Sequence, residues 1–96
     1  MAAYVVADVL DVNDEAGFAE YRELVPPTIA AYGGRYVTRG GAVETVEGDW
    51  SPKRLVILEF DSVEKAKEWY SSDEYKTPKD VRHKSAKSNL IIIPGV

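Results

Sequence analysis

The chain has 96 residues, no cysteine, a single histidine and a formal net charge of −4. This composition excludes disulfides, thiolate nucleophiles and sulfur-ligated metals, and it argues against a histidine-built metal centre. The sequence is acidic overall and lacks the stripe of basic residues that binding to nucleic acid requires. No apolar run approaches the ~20 residues of a membrane helix. We therefore expect one domain over residues 1–96 that binds neither nucleic acid nor membrane. Because the N-terminus lacks a signal-peptide pattern, we expect the protein to be cytoplasmic.

The first forty residues or so predict a strand and then a long helix. Residues 3–10, "AYVVADVL", are rich in strand-forming side chains, and their apolar residues fall on both sides of the alternation. The helix has either Asn13 or Asp14 as its N-cap. Its apolar stripe consists of Phe18, Tyr21, Val25, Ile29 and Tyr32. Pro26–Pro27 lies within this stripe and predicts a kink or break near Val25.

The middle of the chain predicts two more strands. Gly33–Gly34 ends the helix as a C-cap, and residues 35–40 form the second strand. Residues 42–48 predict a further extended piece, followed by a loop punctuated by Pro52. The third strand, residues 53–60, is almost continuously apolar, which is typical of burial on both faces.

The last third of the chain predicts a helical region and a final strand. Asp61, with Glu64 three residues later, resembles a capping box. Thr77 predicts the start of a further helix with Pro78 in its first position, and residues 88–96 form the fourth strand.

The resulting order, β-α-β-β-α-β, predicts an α+β domain of ferredoxin-like fold. Two helices cover only one face of such a sheet, yet three of its strands carry apolar residues on both faces. We therefore expect a homodimer in which the open faces of two copies form a shared barrel.

Four stretches carry a family resemblance that spans nearly the whole chain: "EYRELVPPTIAAYGGRYVTRGG", "VEGDW", "KRLVILEFDSVEKAKEWYSSDEY" and "VRHKSAKSNLIIIPG". They resemble the bacterial family known as domain of unknown function 1330, in the dimeric α+β barrel superfamily. The resemblance implies a dimeric barrel whose activity is not established. Relatives in the superfamily include cofactor-free monooxygenases, haem proteins, isomerases and stress-responsive proteins. They place their ligands between sheet and helices, so the resemblance also implies a ligand cleft there. Fold analogy of this kind does not establish function.

Arg39 is the first candidate site residue. It lies two positions after Val37, so both side chains should share one face of the second strand, and Gly40–Gly41 would let the chain turn away and leave the guanidinium in a cleft. There it could clamp a carboxylate or an enolate. As a structural residue it could instead pair with Glu44, Glu59 or a carboxylate of a second copy. The glycines themselves lack the pattern of a phosphate loop and predict a bulge or turn.

Aromatic side chains could form the walls of the cleft. Tyr21, Trp69 and Tyr75 are the candidates for contact with a ligand, because ligand pockets are mostly apolar with a few polar groups. The alternative is ordinary core packing, since amphipathic helices carry aromatics at this spacing routinely.

Three further residues are candidates for handling charge. His83 titrates near neutrality and is a candidate base, although its highly charged surroundings favour a solvated surface position. Its neighbour Arg82 could turn inward as a second cation. Glu59, like Asp8, interrupts an apolar strand and is either a proton acceptor with a raised pKa or the partner of an arginine such as Arg54.

The leading hypothesis is a protein that binds, or converts without a cofactor, a small aromatic or carboxylate-bearing metabolite. Arg39 would orient the anionic group, and Glu59 or His83 would handle any proton. The alternative is a noncatalytic dimeric interaction or stress-response protein in which the aromatics fill the cleft and Arg39 is an internal ion-pair partner. Haem is disfavoured because His83 would have to turn from a charged helix face into the pocket.

Overall fold

The computed structural model describes all 96 residues. In chain order the elements are β1 (Ala3–Val12), α1 (Glu15–Ala31), β2 (Arg35–Arg39), β3 (Arg54–Phe60), α2 (Val63–Tyr70), α3 (Asp73–Ser85) and β4 (Ala86–Pro94). The strands form one antiparallel sheet in the order β2-β3-β1-β4. The predicted α+β ferredoxin-like fold is confirmed, with its second helical segment divided into α2 and α3.

The core lies between the helices and one face of the sheet. Val5 at the centre of β1 is paired with Leu58 on one side and Ile92 on the other, and all three pack on this face. The helices contribute Val25, Ile29, Ala66, Trp69 and Tyr75 to the same cluster. Each fully buried large apolar side chain of this layer contributes about 1.5–3 kcal/mol.

Helix α1 is continuous through Pro26 and Pro27, so the predicted break near Val25 is wrong. Of the two N-cap alternatives, Asp14 is the cap, and its Oδ1 accepts from the Gly17 amide at 3.0 Å. Proline is tolerated inside the helix because a carbonyl that it leaves without an amide partner finds another donor, as described for Arg39 below.

Both later helix starts differ from prediction. Ser62, not Asp61, caps α2 by accepting from the Lys65 amide at 3.1 Å. Ser72 caps α3 by accepting from the Tyr75 amide, so Pro78 lies inside the helix and Thr77 does not begin one. A serine followed by acidic residues outweighs the Thr-Pro signal because it satisfies an amide and complements the helix dipole.

A β-bulge reshapes β2 before the glycines. Tyr36 pairs with Leu58 and Arg39 with Val56, with the register shifting between Tyr36 and Thr38. The extra residue, Val37, is exposed, whereas Tyr36 and Arg39 share the helix-facing side. The expectation that Val37 and Arg39 share a face is therefore wrong, because a bulge resets the two-residue alternation. Residues 42–48 form no strand, contrary to the prediction of an extended piece.

The other face of the sheet carries no helix. Ile91 and Ile93 of β4 are 55% and 48% exposed there. Part of this face is covered by the irregular segment between β2 and β3, whose Trp50 indole donates to the buried Asp8 carboxylate at 3.0 Å. No helix combines the length and apolar character needed to cross a membrane.

Candidate anion-binding cleft

A pocket lies between the helix-facing side of the sheet and helix α1, and its lining has an unusual composition. Twelve of its sixteen lining residues are hydrophobic, and the other four are Arg22, Arg39, Arg54 and Arg82. No carboxylate lines it. The space open to the centre of a water molecule is about 40 Å³, enough for a few waters, so a larger ligand would displace them and move side chains at the mouth.

Three of the arginines repel one another at the mouth. Arg22 and Arg39 are exposed and also line the groove outside, together with Glu23. The pKa of the half-buried Arg54 is lowered, first by burial and then by the charges of Arg22 and Arg39. Neither of the two ion pairs in the structure involves these arginines. They form a cationic cluster that the protein itself does not neutralise.

The side chain of Arg54 has no hydrogen-bonding partner in the protein, and its Nε is buried. Its guanidinium lies 5.7 Å from the centre of the Phe18 ring and against the backbone of Gly40. A Cβ at Gly40 would come within 2.7 Å of the Arg54 Cζ, and Gly40 has a φ of 73°. The glycine after Arg39 therefore provides both the left-handed turn and the space for Arg54.

Arg39 is held at the mouth by the helix beside it. Its Nη2 donates to the Arg22 carbonyl at 2.9 Å, and its guanidinium stacks 4.6 Å from the centre of the Tyr36 ring. In a regular helix that carbonyl would accept from the amide of residue 26, but Pro26 has none. Arg39 pairs with neither Glu44 nor Glu59, and its remaining N–H groups stay available at the mouth.

The aromatic candidates form one connected cluster, of which only part lines the pocket. Tyr21 and Trp69 line it, whereas Tyr75 is fully buried behind them, with its ring centre 4.1 Å from that of Trp69. The Trp69 indole donates to the Thr28 hydroxyl at 3.0 Å, which satisfies its polar edge inside the core. Tyr75 reaches Tyr21 through its hydroxyl at 2.9 Å.

Arg82 turns inward and His83 does not. Arg82 is only 4% exposed, its Nη1 donates to the Ser88 hydroxyl at 2.6 Å, and its Nε has no partner. His83 is exposed and borders a different cleft. The pKa of His83 is lowered by burial and then by the charges of Arg82 and Lys79.

The two strand carboxylates lie away from the pocket. Glu59 pairs with Arg35 at 2.6 Å, and Asp8 accepts from Trp50 rather than from an arginine; both lie on the face of the sheet that carries no helix. No group of three or more His, Asp or Glu side chains is placed to share a metal ion. Of the predicted site residues, the structure thus brings together Tyr21, Arg39, Trp69 and Arg82.

Sequence reasoning did not select Arg22 or Arg54 as site residues. The available signal for Arg54 is its alternation with Val56 and Leu58, which places a charged residue in phase with the buried side of β3. For Arg22 no sequence signal stands out, because its position in the cluster depends on how α1 lies across the sheet.

The βαββαβ order of elements and the single antiparallel sheet define an α+β protein of the ferredoxin-like type, here with a cationic cleft under its helices. The chain belongs to the family described as domain of unknown function (DUF1330), whose model matches residues 2–96. No curated protein matches it in sequence.

Solved structures share the fold at low sequence identity. A protein of unknown function from Rhodopseudomonas palustris has a TM-score of 0.76 at 18% identity, over 99% of this chain and 82% of its own. An ethyl tert-butyl ether d (ethd) family protein from Bacillus halodurans has a TM-score of 0.71 at 20% identity, with full coverage of both chains. A dimeric ferredoxin-like protein of unknown function from Thermobifida fusca has a TM-score of 0.65 at 10% identity, over 99% of this chain and 92% of its own. Identities this low show the fold and leave the ligand open.

Proposed function

We propose that this protein binds a small organic carboxylate with an apolar or aromatic body in the cleft between sheet and helices. The observation that carries the proposal is a pocket whose charged lining residues are four arginines, none of them paired with a carboxylate, among otherwise apolar and aromatic side chains. Cations held together without counter-charges raise the free energy of the empty protein. A bound carboxylate would lower it and would accept forked hydrogen bonds from the guanidinium groups.

The proposal concerns binding rather than turnover. The two candidates for proton transfer, Glu59 and His83, do not line the pocket, and no other carboxylate or histidine does. Any reaction in the cleft would therefore depend on the arginines, on the tyrosines Tyr21 and Tyr36 or on the ligand's own groups. The ethd family protein that shares this fold does not extend an activity to this chain.

The test compares two arginines of the same strand that point in opposite directions. Arg39→Met removes a guanidinium from the mouth, and Arg35→Met removes one from the other face of the sheet, where it pairs with Glu59. Titration calorimetry with benzoate, phenylacetate and short-chain carboxylates should give a saturable signal in the wild type. We expect Arg39→Met to weaken binding by about tenfold to a hundredfold, since a hydrogen bond to a charged group contributes about 1.5–3 kcal/mol. Arg35→Met should bind as the wild type does.

A noncatalytic interaction or stress-response protein is the second candidate. It is favoured by the small free space in the pocket and by the bond from Arg39 to the Arg22 carbonyl, which gives Arg39 a structural role. This reading predicts that no carboxylate binds and that Arg39→Met lowers the melting temperature while Arg35→Met does not. Equal binding by both variants would also count against the anion site.

We further propose that a second copy of the chain covers the open face of the sheet. The half-exposed Ile91 and Ile93 on that face support this, as do neighbours of the same fold that are themselves dimeric. Light scattering at micromolar concentration should give twice the chain mass, and Ile91→Asp should give the monomer mass. Leu24→Asp, a similar change on the outer surface of α1, should leave the dimer intact. A monomeric wild type would refute the proposal.

A further inference from the structure

Besides its arginines, the pocket is bordered by two tyrosine rings, those of Tyr21 and Tyr36, and of their hydroxyls only that of Tyr21 is hydrogen-bonded within the protein. Tyr21 lies on α1 with its ring on the pocket wall, and its Oη is 2.9 Å from the Oη of Tyr75. This is the only hydrogen bond that either hydroxyl forms in the protein. Tyr21 and Tyr75 differ in surroundings, since Tyr75 is 0% exposed whereas Tyr21 keeps some exposure.

That difference determines which hydroxyl donates. Each phenol has one proton, so in a pair one hydroxyl donates to the other and the second proton is left over. If Tyr21 donated, the proton of Tyr75 would be buried without an acceptor, which costs about 1–3 kcal/mol. If Tyr75 donates, the remaining proton belongs to Tyr21, whose ring borders the pocket. The second arrangement is favoured because buried donors are almost always paired.

We propose that Tyr21, held by Tyr75, forms a second polar subsite that donates a hydrogen bond to an uncharged oxygen of the ligand. The inference rests on the proposed carboxylate site and narrows its ligand class. The ligand would be an oxo acid, with its carboxylate at the arginine mouth and a carbonyl oxygen at Tyr21. Tyr75 is a positioning residue that does not itself touch the ligand.

The surroundings of Tyr21 suit it to donating rather than accepting. Burial raises its pKa, and the neighbouring Tyr75 raises it further, so the phenol stays neutral at physiological pH. Arg82, whose Cζ lies 6.0 Å from the centre of the Tyr21 ring, opposes that shift and would stabilise partial negative charge on the hydroxyl or on an oxygen bonded to it. A phenol that accepts one hydrogen bond is also a better donor of another.

The experiment uses matched acids that differ by one oxygen. Pyruvate and isobutyrate, acetoacetate and isovalerate, and levulinate and isocaproate are pairs in which a methyl group replaces the carbonyl oxygen. The three pairs place the carbonyl at increasing separation from the carboxylate, so the series does not assume a spacing. In the wild type we expect one oxo acid to bind about fivefold more tightly than its methyl counterpart, which corresponds to a hydrogen bond of about 1 kcal/mol.

Three tyrosine variants test the subsite, and one of them, at the C-cap of α1, is the control. Tyr21→Phe removes the donor and should abolish the preference for the oxo acid over its methyl counterpart. Tyr32→Phe removes a hydroxyl that donates to Glu74 at the surface, and it should keep the preference. Tyr75→Phe should reduce the preference without abolishing carboxylate binding, because Tyr21 then loses the bond that orients it.

Each outcome bears on a different statement. Equal binding of both members of every pair by the wild type would overturn the Tyr21 subsite and leave the carboxylate site standing. A preference that persists in Tyr21→Phe would also overturn it. If no acid of either kind binds, both the subsite and the proposed function fail. The comparison of ligand pairs needs only the wild type, so the subsite can be refuted even if a variant misfolds.

Discussion

Replacing Arg54 by methionine should stabilise the ligand-free protein. Methionine keeps the unbranched stem that lies against Gly40 and removes the charge. The Arg54 side chain forms no hydrogen bond to the protein, has a buried Nε and lies beside Arg22 and Arg39, which repel it. A change that removes a cation from a pocket wall usually destabilises through lost pairing, but here there is no pairing to lose.

The magnitude follows from two opposing contributions. Removing a buried N–H without a partner recovers about 1–3 kcal/mol, and relief of the like-charge repulsion adds to this. Loss of the Arg54 contact with the Phe18 ring, at 5.7 Å, costs about 0.5–1 kcal/mol. The net expectation is about 1 kcal/mol of added stability. For a chain of this length that raises the melting temperature by about 4–8 °C.

The assay is thermal unfolding of wild type and Arg54→Met followed by circular dichroism. Part of the gain is electrostatic, so it should shrink as salt rises from about 0.01 M to about 1 M, over which the screening length falls from about 30 Å to about 3 Å. Arg35→Met, which breaks the ion pair with Glu59, should not raise the melting temperature. A lower melting temperature in Arg54→Met would show that the Arg54 side chain stabilises the fold and that repulsion among the arginines does not outweigh its contacts.

Three further changes test other parts of the same structure. Gly40→Ala should lower the melting temperature, because φ is 73° there and a Cβ would overlap the Arg54 side chain; the double variant with Arg54→Met should recover part of that loss. Thr28→Val should cost about 1–3 kcal/mol in urea unfolding, since it leaves the buried Trp69 indole without an acceptor, whereas no change would mean that water replaces the hydroxyl. Folding lowers the pKa of His83, so near and below the ordinary histidine pKa of about 6.5 the unfolded chain binds more protons than the folded one. The free energy of unfolding should therefore decrease as the pH is lowered through this range. This loss of stability at lower pH should disappear in His83→Gln, and an unchanged dependence of the unfolding free energy on pH would mean that other groups cause it.

The sequence predicted the strands better than the helix boundaries. Each strand has an apolar pattern that survives wherever its pairing falls, so β1, β3 and β4 were placed within a few residues. Helix starts depend on which of several adjacent polar side chains reaches a free amide. Ser62 and Ser72 do so in place of Asp61 and Thr77, and propensity alone does not separate such neighbours.

The candidate site was predictable only in part. Arg39 stands out from the glycines that follow it, and Tyr21 from its place in an amphipathic stripe. The cluster with Arg22 and Arg54 depends on a bulge at Val37 that no local pattern announces, and on the angle at which α1 crosses the sheet. Glu59 stood out for interrupting an apolar strand, but alternation turns it to the open face of the sheet, where Arg35 pairs with it.

The bond between Arg39 and the Arg22 carbonyl explains how one arginine can serve both structure and binding. Pro26 removes the amide that would otherwise occupy this carbonyl, and a single N–H of Arg39 takes its place. The guanidinium is thereby fixed over the Tyr36 ring while its other N–H groups remain at the mouth. A side chain held in this way loses little conformational entropy when a ligand arrives, which favours binding. Replacing Pro26 by alanine should therefore release Arg39 and weaken carboxylate binding, even though the helix itself gains a hydrogen bond.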